Sequence, residues 1–172
     1  MLNDRMQQLM NERVNMEFYA AYLYLSMVAY FESENLPGMA SWMRSQVQEE
    51  LFHGMKMFDY INERGGRVAL AQIDTPIAEW DSALDVFRAG FEHELKVTAA
   101  YNEILSAARE ERDHASEIFL QWYVTEQVEE ESNFDAIIHQ LERIVDSSNA
   151  LLMFDREMGQ RVFTPPAAES EA

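Results

Sequence analysis

Four glutamates stand inside otherwise apolar helical stripes. Glu17 lies at helical intervals from Met10, Val14, Ala20 and Tyr24, and Glu50 from Met43, Val47, Met57 and Ile61. Glu94 sits between Phe87, Phe91, Val97 and Tyr101, and Glu130 between Tyr123, Phe134 and Ile137. Residues three, four and seven apart on a helix share a face, so each carboxylate points where its apolar neighbours point. An unpaired buried carboxylate costs on the order of several kcal/mol. Only 13 Lys and Arg stand against 31 Asp and Glu in the chain, too few to neutralise the acids generally. A multivalent cation shared by the four relieves the repulsion; without one, some of them must hold protons at neutral pH.

Spacing sharpens the expectation. Glu50-x-x-His53 sets a carboxylate and an imidazole one helical turn apart, and Gln127-x-x-Glu130 occupies the corresponding place later in the chain. Each half therefore offers one lone Glu, Glu17 or Glu94, and one i, i+3 pair. This is the two-metal carboxylate pattern of helical bundles, with one departure: the symmetrical form repeats Glu-x-x-His, whereas here the second pair is Gln and Glu. One metal receives the imidazole, and the other is bound by oxygens alone, less tightly. The chain has no cysteine, which removes disulfides, thiolate zinc sites and iron–sulfur clusters and leaves only oxygen and nitrogen donors.

The elements that must position these residues follow from glycine and proline punctuation. Helical spacing runs from Asn3 to about Glu34 through Met6, Leu9/Met10, Val14, Phe18, Ala21, Leu25 and Val28, roughly 45 Å of helix, before Asn35-Leu36-Pro37-Gly38 breaks it. A second helix spans about Met39 to Arg64 through Val47 and Leu51, with Gly65-Gly66 suited to a left-handed cap. Arg67 to Asp81 shows no periodicity and, at about fifteen residues, reaches roughly 50 Å when extended, enough to return along a full helix. The third helix begins at Ser82-Ala83-Leu84-Asp85 and continues through Leu95 to about Arg112; Asp113 caps a fourth that runs to about Val145. A short fifth lies near Asn149 to Met158, stopped by Gly159. The fold class is all-α: two helical hairpins joined by one long crossover form a four-helix bundle with a short C-terminal fifth helix. Residues 1–163 make one domain, and 164–172 read as a disordered acidic tail.

Composition sets the function classes. With 172 residues, 48% apolar and 12% aromatic, the chain can fill a core. A net charge of −18 excludes nucleic acid as a natural partner, because that requires clustered Lys and Arg. The apolar run Tyr19–Phe31 is too short to span a bilayer, so no membrane is expected. The opening Met1-Leu2-Asn3-Asp4-Arg5 lacks a secretory profile, and the expected location is the cytoplasm.

The segments Asn15-Met16-Glu17-Phe18-Tyr19, Gln48-Glu49-Glu50-Leu51-Phe52-His53, Glu92-His93-Glu94 and Phe119 to Glu131 together resemble the non-haem ferritins of bacteria and archaea, along nearly the whole chain from Leu2 to Phe163. The resemblance implies a ferritin-like bundle that oxidises Fe(II) with dioxygen and stores the product as a ferric mineral inside a homo-oligomeric shell, usually of 24 subunits. It implies that Glu17, Glu50 and His53 hold one ferroxidase iron and that Glu50, Glu94 and Glu130 hold a second, with Glu50 bridging and Gln127 nearby. Tyr24 matches the tyrosine beside that centre. Glu49, Glu126 and Glu129, with Glu130 shared, match the third iron site of the bacterial branch. Asp113 and Glu117 fall where the family lines the pores that admit iron. Haem is not expected, since the residue after Glu50 is Leu51 rather than the haem-ligating Met of bacterioferritins. His93, His114 and His139 read as surface or hydrogen-bonded residues. The alternative enzyme is a di-iron carboxylate oxidase acting on an organic substrate, and the alternative non-enzyme is a structural bundle whose acids face solvent.

Overall fold

The computed structural model describes residues 1–165, which hold five helices and no strand: α1 (Asp4–Ser33), α2 (Pro37–Glu63), α3 (Ala83–Glu110), α4 (His114–Ile144) and α5 (Ser148–Met158). Four starts are capped by the residue types the sequence offers there. The Asn3 side chain accepts from the Met6 N–H at 2.8 Å, Ser82 from Asp85 at 3.2 Å, Asp113 from Ser116 at 3.2 Å and Ser147 from Ala150 at 3.3 Å. Gly65 ends α2 with φ +70°, the left-handed conformation its position predicts.

The start of α2 differs from the sequence expectation. It begins at Pro37 rather than Met39, because proline in the first turn has no N–H to waste and its fixed φ is already helical. No side chain from its own flank caps it. Instead the buried Asp155 carboxylate of α5 accepts from the Met39 N–H at 2.8 Å, so the short fifth helix closes the open end of the second.

α1 pairs with α2 and α3 with α4, the two hairpins meet through α1 and α3, and α5 packs on α2 and α4. The crossover is irregular, as predicted, and is sewn to the outer side of α1. Asn11 donates to the Arg67 carbonyl and accepts from the Ala69 N–H, Asn15 donates to the Gln72 carbonyl, and the Ser26 hydroxyl donates to the Ile77 carbonyl. The expected acidic tail begins with Thr164 and Pro165, which are outside any helix; the rest of it lies beyond the described residues.

The core is two apolar clusters rather than one. Tyr24, Met27, Phe31, Phe87 and Phe134 lead the first, and Met6, Met10, Met57, Tyr101 and Tyr123 lead the second. Leu25, Leu51 and Leu95, which periodicity puts on the inward stripe, are 44–45% exposed instead. Each directly follows a buried residue, Tyr24, Glu50 or Glu94, and so sits about 100° further round its helix, at the edge of the buried face. Among the described residues no helix is long and apolar enough to cross a membrane.

Candidate metal centre

The belt between the two apolar clusters is polar and shielded from the surface. Glu17, Glu50, His53, Glu94, Gln127 and Glu130 are each at most 3% exposed, one or two from each long helix. The approach of α2 to α1 at this level depends on Gly54: a Cβ there would stand 2.7 Å from Phe18 Cε1 and 3.3 Å from Glu17 Cβ.

His53 Nδ1 lies 3.4 Å from Glu50 Oε2 and 3.7 Å from Glu17 Oε2, and ligand atoms of these three residues fall within 4.8 Å of one another. Donors bound at about 2.0–2.2 Å around one cation stand roughly 3–3.5 Å apart, so the trio is already close to the spacing of a filled site. Two carboxylate oxygens, Glu17 Oε2 and Glu50 Oε1, are buried with no hydrogen-bond partner. Such oxygens are costly in a protein interior unless something positive meets them. Glu94 receives the Tyr24 hydroxyl on Oε1 and Gln127 Nε2 on Oε2 at 2.9 Å, and Glu130 receives Gln46 Nε2 at 2.8 Å. The Tyr101 hydroxyl donates to Glu17.

Without a cation the belt balances its charge with protons. Burial, then the charge of Glu94, pushes the Glu50 carboxyl far above the usual carboxylate range. Burial raises Glu94 to about 7 against the opposing hydrogen bonds of Tyr24 and Gln127, and burial with the charges of Glu49 and Glu94 raises Glu130 to about 8. Burial disfavours charge on His53, yet the Glu17 and Glu50 carboxylates that face its Nδ1 outweigh it and hold the imidazolium well above its ordinary range. Burial likewise works to raise Glu17, and His53 more than offsets it, so Glu17 alone among the four stays below the usual range. A metal ligand must be deprotonated, so a dication entering here displaces protons from Glu50, Glu94, Glu130 and His53.

A second grouping shares His53: ligand atoms of Glu49, His53 and Glu126 also fall within 4.8 Å of one another. Glu129, placed by the resemblance in the same set, is exposed and outside that grouping.

Comparison with known proteins gives the family. The family model described as a ferritin-like domain matches residues 7–144. The chain belongs to the ferritin family. Bacterial non-haem ferritins of Staphylococcus aureus and Staphylococcus epidermidis are 37% and 39% identical over 163 residues, covering 95% of this chain and 98% of theirs. An open-pore ferritin from the hyperthermophilic archaeon Archaeoglobus fulgidus superposes with a TM-score of 0.93 at 47% identity, covering 94% of this chain and all of that one. A closed form engineered from the Archaeoglobus fulgidus ferritin gives 0.94 at 48%, over 95% of this chain and all of that one. The non-haem ferritin resemblance and the all-α ferritin fold are thereby established.

Two ferritin-site neighbours escaped the sequence reading, and both had a signal. Tyr101 stands seven residues after Glu94, as Tyr24 stands seven after Glu17, and each tyrosine donates to the other helix's glutamate. The internal relation of the two hairpins, applied to Tyr24, names Tyr101. Gln46 is four residues before Glu50, hence on its face, and is fully buried. Both tyrosine hydroxyls are pushed far above their ordinary pKa by burial and nearby carboxylates, so they remain donors. His114 and His139 are exposed beside Glu117 and Glu142, as expected. His93 is neither exposed nor hydrogen-bonded: it is buried against the rings of Tyr19 and Tyr24, its Nε2 has no partner, and burial lowers its pKa to about 4. Asp113 is taken up within the chain by Arg64 at 2.9 Å and by capping α4, and Glu117 by Arg109 at 2.8 Å.

Proposed function

We propose that the chain is an iron-storage ferroxidase. Two ferrous ions bind in the belt, one held by Glu17, Glu50 and His53 and one by Glu50, Glu94 and Glu130, with Glu50 shared and Gln127 and Tyr24 fixing Glu94. The observation that carries this reading is the pair of buried, partnerless oxygens on Glu17 and Glu50 beside His53 in a ferritin-family bundle. Each ferrous ion gives one electron, so dioxygen takes up two and, with two protons, leaves as hydrogen peroxide. Hard carboxylates favour the ferric product, and the shared Glu50 keeps the donors adjacent so that the two electrons leave together. The protons displaced from the belt leave as the ions enter. Ferric product then hydrolyses and collects as an oxyhydroxide mineral; Glu49, Glu126 and Glu129, with Glu130, offer a third iron position near the pair.

Storage requires an enclosed cavity, and therefore a shell of copies, which we take to be 24. A patch of exposed apolar side chains supports self-association: Tyr22, Leu25, Leu51 and Ile73 are 39–49% exposed and line, with Phe18, Ala21 and Val47, a cleft of about 360 Å³ shared by α1, α2 and the crossover. No haem takes part, and the reaction belongs to the cytoplasm.

Aerobic addition of ferrous iron to the purified chain tests this reading. Rapid oxidation, with ferric iron co-eluting with a large assembly on size exclusion, is the expected result. Oxidation no faster than in buffer, or iron that elutes apart from protein, overturns it.

A further inference from the structure

The segment after α5 turns back over α2. The Ser45 hydroxyl donates to the Arg161 carbonyl at 3.4 Å, and Phe163 packs on Phe52 with ring centroids 6.2 Å apart. This course carries the Arg161 guanidinium to 4.4 Å above the Trp42 ring, with Nη2 donating to Glu49 Oε2 at 2.8 Å. The pair is largely shielded, with side chains 22% and 16% exposed. Arg161 Nη1 is buried and without a partner among the described residues, so the five-donor fork is only partly used. Glu49 is also the member of the Glu49–His53–Glu126 grouping that stands one residue from the shared Glu50.

One carboxylate is thus claimed by two cations. A largely shielded arginine over Trp42 holds its Oε2 now, and a third metal ion would compete for the same carboxylate. We propose that Arg161 is a resident counter-cation for Glu49 that sets the order of filling: the paired site loads first, and a third ion gains Glu49 only in competition with the guanidinium. Arg161 is a positioning residue; its charge acts on metal through Glu49. The inference rests on the dinuclear reading above for the first two ions.

Anaerobic calorimetry with ferrous iron on the assembled protein separates the possibilities. The parent chain should take two ions tightly and a third weakly. Arg161→Gln should tighten the third by about ten-fold, as expected for losing one competing charge at a shielded site, and leave the first two unchanged. Arg161→Lys keeps the charge but loses the planar fork and much of the stacking, so it should fall between. In a Glu49→Gln background the Arg161→Gln gain should vanish. If Arg161 only pins the C-terminal segment, Arg161→Gln lowers the melting temperature while the third affinity stays at the parent value, and the proposal is overturned. Two tight ions with an unchanged third sink this inference alone. No stoichiometric binding by any of the chains sinks the dinuclear reading and this one with it.

Discussion

Glu50→Ala should slow ferrous oxidation by about 100-fold or more, because in the proposed centre one side chain serves both ions and its loss opens both sites at once. Glu129→Ala, an exposed carboxylate outside the buried belt, should change the initial rate by no more than about two-fold. The comparison of the two variants is what matters, since both truncate one glutamate of the same region. Equal rates would contradict the assignment of Glu50 as the shared ligand. A companion measurement separates loss of chemistry from loss of fold. Glu50 is buried, crowded by Glu94 and forced to hold a proton, so it burdens the metal-free fold. The nearly isosteric Glu50→Gln removes that burden without opening a cavity. It should stabilise the metal-free protein by on the order of 1 kcal/mol while oxidising iron as poorly as the alanine variant. Site residues that cost stability when empty are expected of a binding centre and not of a packing core.

The second large effect is a pH dependence with opposite signs for the empty and loaded protein. Folding raises Glu94 to about 7 and Glu130 to about 8 from an ordinary value of 4.5. Between those limits the folded metal-free chain binds more protons than the unfolded chain, so its stability falls as pH rises from about 4.5 to about 8. His53, also raised, acts in the same direction: the stability its charged form contributes is full below its unfolded pKa and is lost as pH climbs through its folded one. Glu17 is lowered and acts oppositely, but its window lies below the ordinary carboxylate range. Ferrous binding needs the deprotonated ligands, so affinity rises with pH and the loaded protein gains stability over the same interval. Melting temperatures at pH 5.5 and 8.5, metal-free and with excess ferrous iron under nitrogen, should diverge accordingly. The net charge of −18 also destabilises the compact state at high pH, so Glu94→Gln/Glu130→Gln is the control. It should reduce the metal-free slope, leaving the part that belongs to Glu50 and His53. A slope unchanged by the double substitution assigns the effect to general repulsion and refutes the proton-loaded belt.

What the sequence disclosed divides along a physical line. Helix limits, the irregular crossover and the inward carboxylates are local matters, set by caps, glycines and a 3.6-residue period, and they were legible to within a few residues. The capping of α2 by Asp155 was not, because it joins residues far apart in the chain and depends on how α5 docks. The exposure of Leu25, Leu51 and Leu95 was not, because an isolated stripe does not say where each long helix turns relative to its neighbours. At the site, Glu17, Glu50, Glu94 and Glu130 could be selected as acidic intruders in apolar stripes and His53 and Gln127 by their i, i+3 spacing, and the fold buries all six. Tyr101 reads as ordinary core until the hairpin symmetry is applied to Tyr24, and Arg161 sits in a segment without periodicity, so only the folded chain brings it to Glu49.

The account comes down to a bundle whose interior is electrically incomplete until two ferrous ions arrive. Anomalous scattering at the iron edge from crystals soaked anaerobically in ferrous salt tests that most directly. Two peaks are expected within the belt, one bounded by Glu17, Glu50 and His53 and the other by Glu50, Glu94 and Glu130. A belt without iron in soaked crystals, or glutamates rotated out of it with ions bound only at the surface, would contradict the account.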